Sequence, residues 1–471
     1  MSIITGLPNN VRRPGAFSAF KWQNALQLAL NDLRAVIVAE KSAAGTAATD
    51  APIQIFNEDD ADAKLGMGSF AALGCRKAFE QGKLMGGAMP EVWCAPLLEN
   101  AGGAKATITL TVTVTTAQQG DIKFRIAGRP LVAPVNAGDA QNTIAATIAA
   151  AIASSQKILP GTAAAAANVV TFTVATKGVN GNDVTAIVDS LPAGVSVAVA
   201  TGAAGTGAAV ITNAIQALYD QRYHAVCIGN HTTTDIATLV TERAAAWGYN
   251  QQNYRFFFMG CRDSLGTAQT LQTAANDFGI IIGTYEATPS LPIEIAVVDA
   301  FAEFASTIPN VNMDGQQVAL YPPPAASVYT TTEIESALNG GMTPHVPDGS
   351  YSKIVRMMTS EITLNGVNTE VLRDIGYPRT GAYRAELHET NFLQQFRQEV
   401  ITDNTLPRIR AMQIGIDRSL EAQGILRDVE SHISEYVVEM HPSVAGRVQS
   451  SSPFTPAGPL HQLDAVHVMY L

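Results

Sequence analysis

Apolar residues recur with different periods in different stretches of the chain, and the period changes mark its organisation. Residues 34–40 (RAVIVAE) form a β-branched run, 57–81 carry helical segments, and 91–97 (EVWCAPL) read as a second strand. The same style returns after residue 208. Ile211, Ala214, Ile215 and Leu218 fall at i, i+3, i+4 and i+7, which places them on one helical face leading into a strand at 225–229. A helix near 234–248, a strand at 255–260 (RFFFMG), a helix near 267–278, a strand at 280–285 (IIIGTY) and an apolar helix near 292–307 follow. Continuously apolar strands alternating with helices predict a parallel sheet covered on both faces.

Residues 99–204 interrupt this pattern. They are rich in Ala, Thr, Val and Gly, with 11 charged side chains. Residues 105–116 (KATITLTVTVTT), 168–176 (NVVTFTVAT) and 194–200 alternate with period two, around one amphipathic helix at 144–152. The expectation is an all-β domain inserted into a loop of an α/β host that comprises 21–98 and 205–340. From 341 to 459 the charge density rises and an α+β domain is expected. It contains a hairpin from Met357 to Leu372 about Asn365-Gly366, helices near 380–402 and 407–423, and a strand at 435–441. Residues 1–20 read as an extended N-terminal arm and 460–471, containing DAVHVMYL, as a C-terminal arm strand.

Composition narrows the function. The 471 residues are 47% hydrophobic and 15% charged, with a net charge of −11. A general nucleic-acid binder needs a basic face, which this balance does not advertise. Cys75, Cys94, Cys227 and Cys261 form no C-x-x-C pair and no disulfide framework, so free thiols in a reducing cytosol are expected. Pro8, Asn9 and Asn10 stand where a signal peptide needs its apolar run, and no stretch approaches the roughly 20 apolar residues of a membrane span.

Motifs for chemistry fail one by one. His388-Glu389 starts like H-E-x-x-H, but Phe392 occupies the second ligand position. His224 and His231 flank a strand and read as strand-end histidines. Gly66-Met67-Gly68-Ser69-Phe70-Ala71 matches G-x-G-x-x-A, yet the run before it is polar, so Ser69 reads as a helix cap. Neither a G-x-x-x-x-G-K-[ST] loop nor a G-x-S-x-G elbow occurs. A subtilisin-type nucleophile turn is also missing, since Gly266-Thr267 continues into Ala268 and no His-Gly pair exists. Glu58, Asp59, Asp60 and Asp62 open a helix, where negative charge is favourable in any case. No catalytic residue, cofactor or metal is expected, which points to an assembly component.

The leader I-x-G-L-P-x-N-x-R-x-P-G (Ile4–Gly15), the Leu65-Gly66-Met67-Gly68-Ser69 loop and the interrupted α/β pattern resemble the contractile-tail sheath proteins of Mu-like bacteriophages. The resemblance implies a core like a subtilisin fold without catalysis, wrapped in many copies around a tail tube. It implies arms that complete neighbouring sheets, with Ile4, Leu7, Val11, Arg13, Phe17, Val466, Val468 and Tyr470 as intersubunit residues, and an outward-facing insert. Implied partners are further copies in a helix, the tube protein, and baseplate and tail terminator proteins, with no direct nucleic acid and no stable membrane insertion. The implied location is the virion, after production in the host cytoplasm. Arg408, Arg410 and Arg418 are candidates to face the tube. A phage-derived bacteriocin or injection device stays open, as do a degenerate hydrolase using His224 or His231 and an adhesion module in the insert.

Overall fold

The computed structural model describes residues 33–444, 446–459 and 461. They divide into a larger unit, residues 33–383 with 456–461, and a smaller unit, residues 384–455. The larger begins with β1 (Arg34–Glu40), β2 (Ile53–Gln54), α1 (Glu58–Leu65), α2 (Phe70–Leu84) and β3 (Glu91–Leu97). Next come β4 (Thr107–Val114), β5 (Gly120–Ile126), β6 (Arg129–Val135), α3 (Gln141–Ser154), β7 (Gly161–Ala166), β8 (Val169–Val174), β9 (Ala186–Ser190) and β10 (Val195–Thr201). The chain continues through α4 (Thr212–Gln216), β11 (Ala225–Ile228), α5 (Thr233–Ala246), β12 (Phe256–Cys261), α6 (Leu265–Ala275), β13 (Ile280–Thr284) and α7 (Pro292–Glu303). It closes with β14 (Gln317–Val318), α8 (Thr331–Asn339), β15 (Thr343–Asp348), β16 (Tyr351–Ile354), β17 (Thr363–Leu364) and β18 (Val367–Asn368).

One nine-stranded sheet, ordered β14-β16-β15-β13-β12-β11-β1-β3-β2, organises the larger unit. Its centre, from β3 to β15, is parallel, and its margins are antiparallel. The run AVIVA of β1 is fully buried because successive side chains enter different cores. Ala35, Ile37 and Ala39 pack with α2 and α7, whereas Val36 and Val38 pack with α4, α5 and α6. A strand covered twice carries no polar face, which is why the alternation seen elsewhere is missing here.

Local signals set the helix starts. Ser69 accepts from the Ala72 N–H at 3.2 Å and donates to the Leu65 carbonyl at 3.0 Å, capping α2. Asn57 caps α1, and acids along that helix are answered by Arg76 on Glu58 and Asp62 and by Lys83 on Glu58.

Residues 107–201 form two further antiparallel sheets, ordered β10-β4-β8-β7 and β6-β5-β9. Ile108, Leu110, Val112 and Phe172 point inward with Ile144, Ile148 and Ile152 of α3, in one continuous hydrophobic cluster with Ile37 and α7. Where the chain leaves the parallel sheet and returns, it is clipped to itself. Ala104 and Thr206 exchange backbone bonds at 3.2 and 3.1 Å, and the Asn100 amide donates to Ala208 O at 3.1 Å.

Two features depart from the sequence pattern. Residues 343–354, grouped with the C-terminal zone from their composition, extend the large sheet as β15 and β16. Pro344 and Pro347 break the apolar period there, although β15 is paired on both sides, to β13 and to β16. The hairpin about Asn365-Gly366 has the positive φ angles of a type I′ turn, 52° and 78°, but only two residues per strand pair. Its flanks bond elsewhere: Thr359 N donates to Arg373 O at 2.7 Å and Ser360 N to Ile280 O at 2.8 Å.

The smaller unit contains the end of α9 (Gly376–Phe396), α10 (Thr405–Ala422), a 3-10 turn at Glu430–Glu435 and the antiparallel pair Val437–Met440 and Val448–Ser451.

Candidate functional site

Every residue of α7 is buried, and the helix carries three acids. A carboxylate in such surroundings needs a cation and hydrogen bonds, or it gives up its charge. Each acid is met by a basic residue from a different segment. Glu294 accepts from the Leu291 N–H at 2.9 Å and from the guanidinium of Arg129, at the tip of the β5–β6 turn. Burial alone would raise the Glu294 pKa, but Arg129 and Lys77 reverse this and hold it below the ordinary carboxylate value. The turn fits closely. At Gly128, with φ +76°, a Cβ would sit 2.5 Å from the Tyr321 ring, over which Arg129 and Lys77 stand at 5.9 and 4.9 Å.

Asp299 accepts from His345 Nε2 at 2.8 Å, while His345 Nδ1 lies 3.2 Å from the Thr284 carbonyl. Both ring nitrogens face acceptor atoms, an arrangement that favours the charged ring. Burial opposes that charge, but Asp299 and Thr284 raise the His345 pKa above its usual value, and burial raises the pKa of Asp299 as well. Gly283 makes room for the pair, since a Cβ there would lie 2.2 Å from Asp299 Oδ2. Glu303 accepts from Arg379 Nη1 at 2.8 Å, and Arg379 also stacks 4.6 Å from Phe304. Through these pairs the 107–201 layer, the sheet margin and the start of α9 are all tied to one buried helix.

The histidines weighed for catalysis have separate surroundings. His224 Nδ1 accepts from the Arg34 N–H at 3.1 Å, between the starts of β1 and β11. His231 follows β11, with Nε2 3.8 Å from Asp183 Oδ2. His345, which the sequence did not single out, is buried more deeply than either, with both ring nitrogens engaged. Cys75, Cys94, Cys227 and Cys261 are free and buried. Among the described residues, no group of three or more His, Cys, Asp or Glu is arranged to hold a metal ion, and no helix is long and apolar enough to cross a membrane.

In the smaller unit the corresponding centre is Asp417. It accepts from Arg384 Nε and Nη2 at 2.8 and 2.7 Å, from His388 Nε2 at 3.0 Å and from the Tyr436 hydroxyl at 2.6 Å. Burial pushes its pKa up, but these donors hold it below the usual value. His388, which opened the incomplete zinc motif, serves this network. Nearby, α10 and residues 433 and 438 line a groove of about 650 Å³ that includes Leu406, Pro407, Ile414, Ile433 and Val438.

No family model matches the chain. Over 94 residues it is 35% identical to the Mu-like prophage FluMu tail sheath protein of Haemophilus influenzae, a match covering 20% of this chain and 19% of the relative's length. The sheath tail protein of Desulfitobacterium hafniense superimposes with a TM-score of 0.52 at 14% identity, covering 94% of this chain and 97% of that one. The sheath tail protein of Listeria innocua gives 0.52 at 15% identity, over 92% and 93%. The chain has the fold of a tail sheath protein. A chain in the cryo-EM structure of the anti-feeding prophage baseplate matches at 0.51 and 10% identity, over 98% and 100%.

Within this sheath fold, the residues marked for intersubunit contact, Ile4, Leu7, Val11, Arg13, Phe17, Val466, Val468 and Tyr470, lie outside the described residues. The three arginines considered for the tube are engaged within the smaller unit. Arg408 donates to Glu399 at 2.6 Å and Arg418 to Glu430 at 2.6 Å, while Arg410 donates to the carbonyls of Tyr436 and Ile433 at 2.7 and 2.6 Å. Sequence reasoning missed the acids of α7 and Asp417. For α7 the signal was available as carboxylates inside an otherwise apolar helix, whereas α10 is mixed in polarity and did not set Asp417 apart.

Proposed function

We propose that this chain is the structural subunit of a contractile tail sheath, polymerising as a helix around a tail tube and contracting to drive that tube through a host envelope. The observation that carries the reading is the correspondence of nearly the whole chain, 94% against 97%, with a sheath tail protein. The sheath relative from the Mu-like prophage supports it independently. A contractile role needs no nucleotide site, because the energy comes from new contacts between subunits as each ring rearranges. The α/β part, 21–98 with 205–340, acts as a subtilisin-like core without catalysis. Residues 99–204 form the outward-facing insert and 341–459, apart from the sheet strands at 343–354, the C-terminal domain.

The arms at 1–20 and 460–471 link subunits by adding strands to neighbouring sheets, where backbone hydrogen bonds provide strength and alternate side chains fix register. Partners are further copies of the chain, the tube protein, and baseplate and terminator proteins. The assembled location is a virion tail, after synthesis in the host cytoplasm. An injection device built on the same plan is the second reading, favoured by the match to a chain of the anti-feeding prophage baseplate structure.

Negative-stain electron microscopy of the concentrated protein tests the assembly. Striated hollow tubes support it. Deleting residues 1–17 or 464–471 should leave a folded monomer that forms none, and normal tubes from either truncation would refute strand exchange.

A further inference from the structure

At β1 the chain changes sides of the sheet, pairing with β3 on one flank and β11 on the other. In open α/β sheets the crevice beyond the carboxyl ends at such a point is where ligands bind. Here a side chain of the protein fills it. Asn180, in the 3-10 turn Val179–Asp183 of the inserted layer, donates through Nδ2 to Glu40 Oε1 at 2.7 Å and to Asn230 Oδ1 at 3.0 Å. Asn230 in turn donates to Ala209 O at 2.9 Å. Glu40, Asn180 and Asn230 are 1%, 7% and 2% exposed, so the joint is closed to bulk water.

The charges around this joint are unbalanced. Glu40 Oε2 is buried without a hydrogen-bond partner, and the titratable groups that act on Glu40 are the acids Glu99 and Asp235. The basic groups of the neighbourhood, His231 and Arg262, act instead on Asp183, together with Asp263. A carboxylic acid fits the Glu40 site, because its oxygen accepts from Asn180 and no net charge is buried. A carboxylate there would be a buried anion facing two others with no cation of its own.

We propose that this contact is a protonation-gated seat: the neutral form of Glu40 holds the inserted layer against the carboxyl edge of the parallel sheet, and loss of its proton to solvent loosens the layer. Burial raises the Glu40 pKa to about 7, partly offset by its backbone and Asn180 hydrogen bonds. The sign follows from linkage. The seated state holds a proton that the open state has released, so seating weakens as pH rises from the ordinary glutamate range to about 7 and then levels off.

Amide hydrogen exchange of residues 179–184 in the intact chain tests this, corrected for the intrinsic pH dependence of exchange. Wild-type protection should fall about tenfold per pH unit between roughly pH 5 and 7, since one proton is linked. Glu40→Gln should abolish the slope. A flat wild-type profile, or an unchanged slope in Glu40→Gln, overturns the proposal. Infrared titration of the wild type against Glu40→Gln isolates the Glu40 band, since burial also raises the pKa of Asp183, Asp299 and Glu303. A buried carboxylic-acid carbonyl band that vanishes near pH 7 supports the seat, and its absence at pH 6 overturns it.

Discussion

Replacing Arg129 with alanine removes the only guanidinium on Glu294 among the described residues and leaves a fully buried carboxylate with the Leu291 N–H and the more distant charge of Lys77. Breaking one partner out of a buried ion pair costs about 3–5 kcal/mol, because the remaining charge stays desolvated. At about 1.3 °C per kcal/mol for a unit of this size, the melting temperature should fall by about 4–7 °C. Differential scanning calorimetry measures the loss. A double-mutant cycle isolates the pair: Arg129→Leu with Glu294→Leu should recover most of it, since apolar replacement of a buried pair is often neutral or stabilising. The reasoning is refuted if Arg129→Ala melts with the wild type, or if the double variant is as damaged as the sum of its singles.

Asp417→Asn should destabilise the smaller unit by about 3–5 kcal/mol, because the buried Arg384 loses the carboxylate that neutralises it; amide exchange across α10 reads this directly. The folded pKa of Asp417 is lowered, so its contribution is complete above the usual aspartate value near 4 and disappears as pH falls through its folded value, a trend Asp417→Asn should flatten. Ser69→Ala removes the α2 cap and should cost about 1 kcal/mol in denaturant titration. Deleting 101–203 exposes Glu40 and strips Glu294 of Arg129, so the deletion alone should melt well below the wild type, and Glu294→Gln in that background should restore part of the loss.

The parallel sheet was legible because its strands are short, apolar on both faces and separated by helices of ordinary length. Residues 34–40, 225–229, 255–260 and 280–285 each emerge within a residue or two of the observed β1, β11, β12 and β13. Ser69 was legible as a cap for the same reason: the cause is local, a hydroxyl three residues from an orphaned N–H. The sheet margins were not. β15 carries two prolines and β14 has two residues, so neither presents a period long enough to detect. The hairpin failed in the opposite direction. Asn365-Gly366 does make its turn, but tertiary bonds from Thr359 and Ser360 take the flanks, and a turn signal cannot report that competition.

The buried ion pairs mark a different boundary of inference. In PIEIAVVDAFAE the acids stand at 294, 299 and 303, spacings of five and four that put Asp299 and Glu303 on one side of the helix and Glu294 on the opposite side, so they do not collect on one exposed face. Such a pattern on an otherwise apolar helix already says that no face meets water, and that each carboxylate must find a cation. What it does not contain is where the cations come from. They lie at 129, 345 and 379, one before the helix by 165 residues and two after it by 46 and 76. Pairings that far apart are set by the folded topology alone. The demand for a partner is therefore written locally and its supply globally, and the three segments that supply it are the ones the fold fastens to α7.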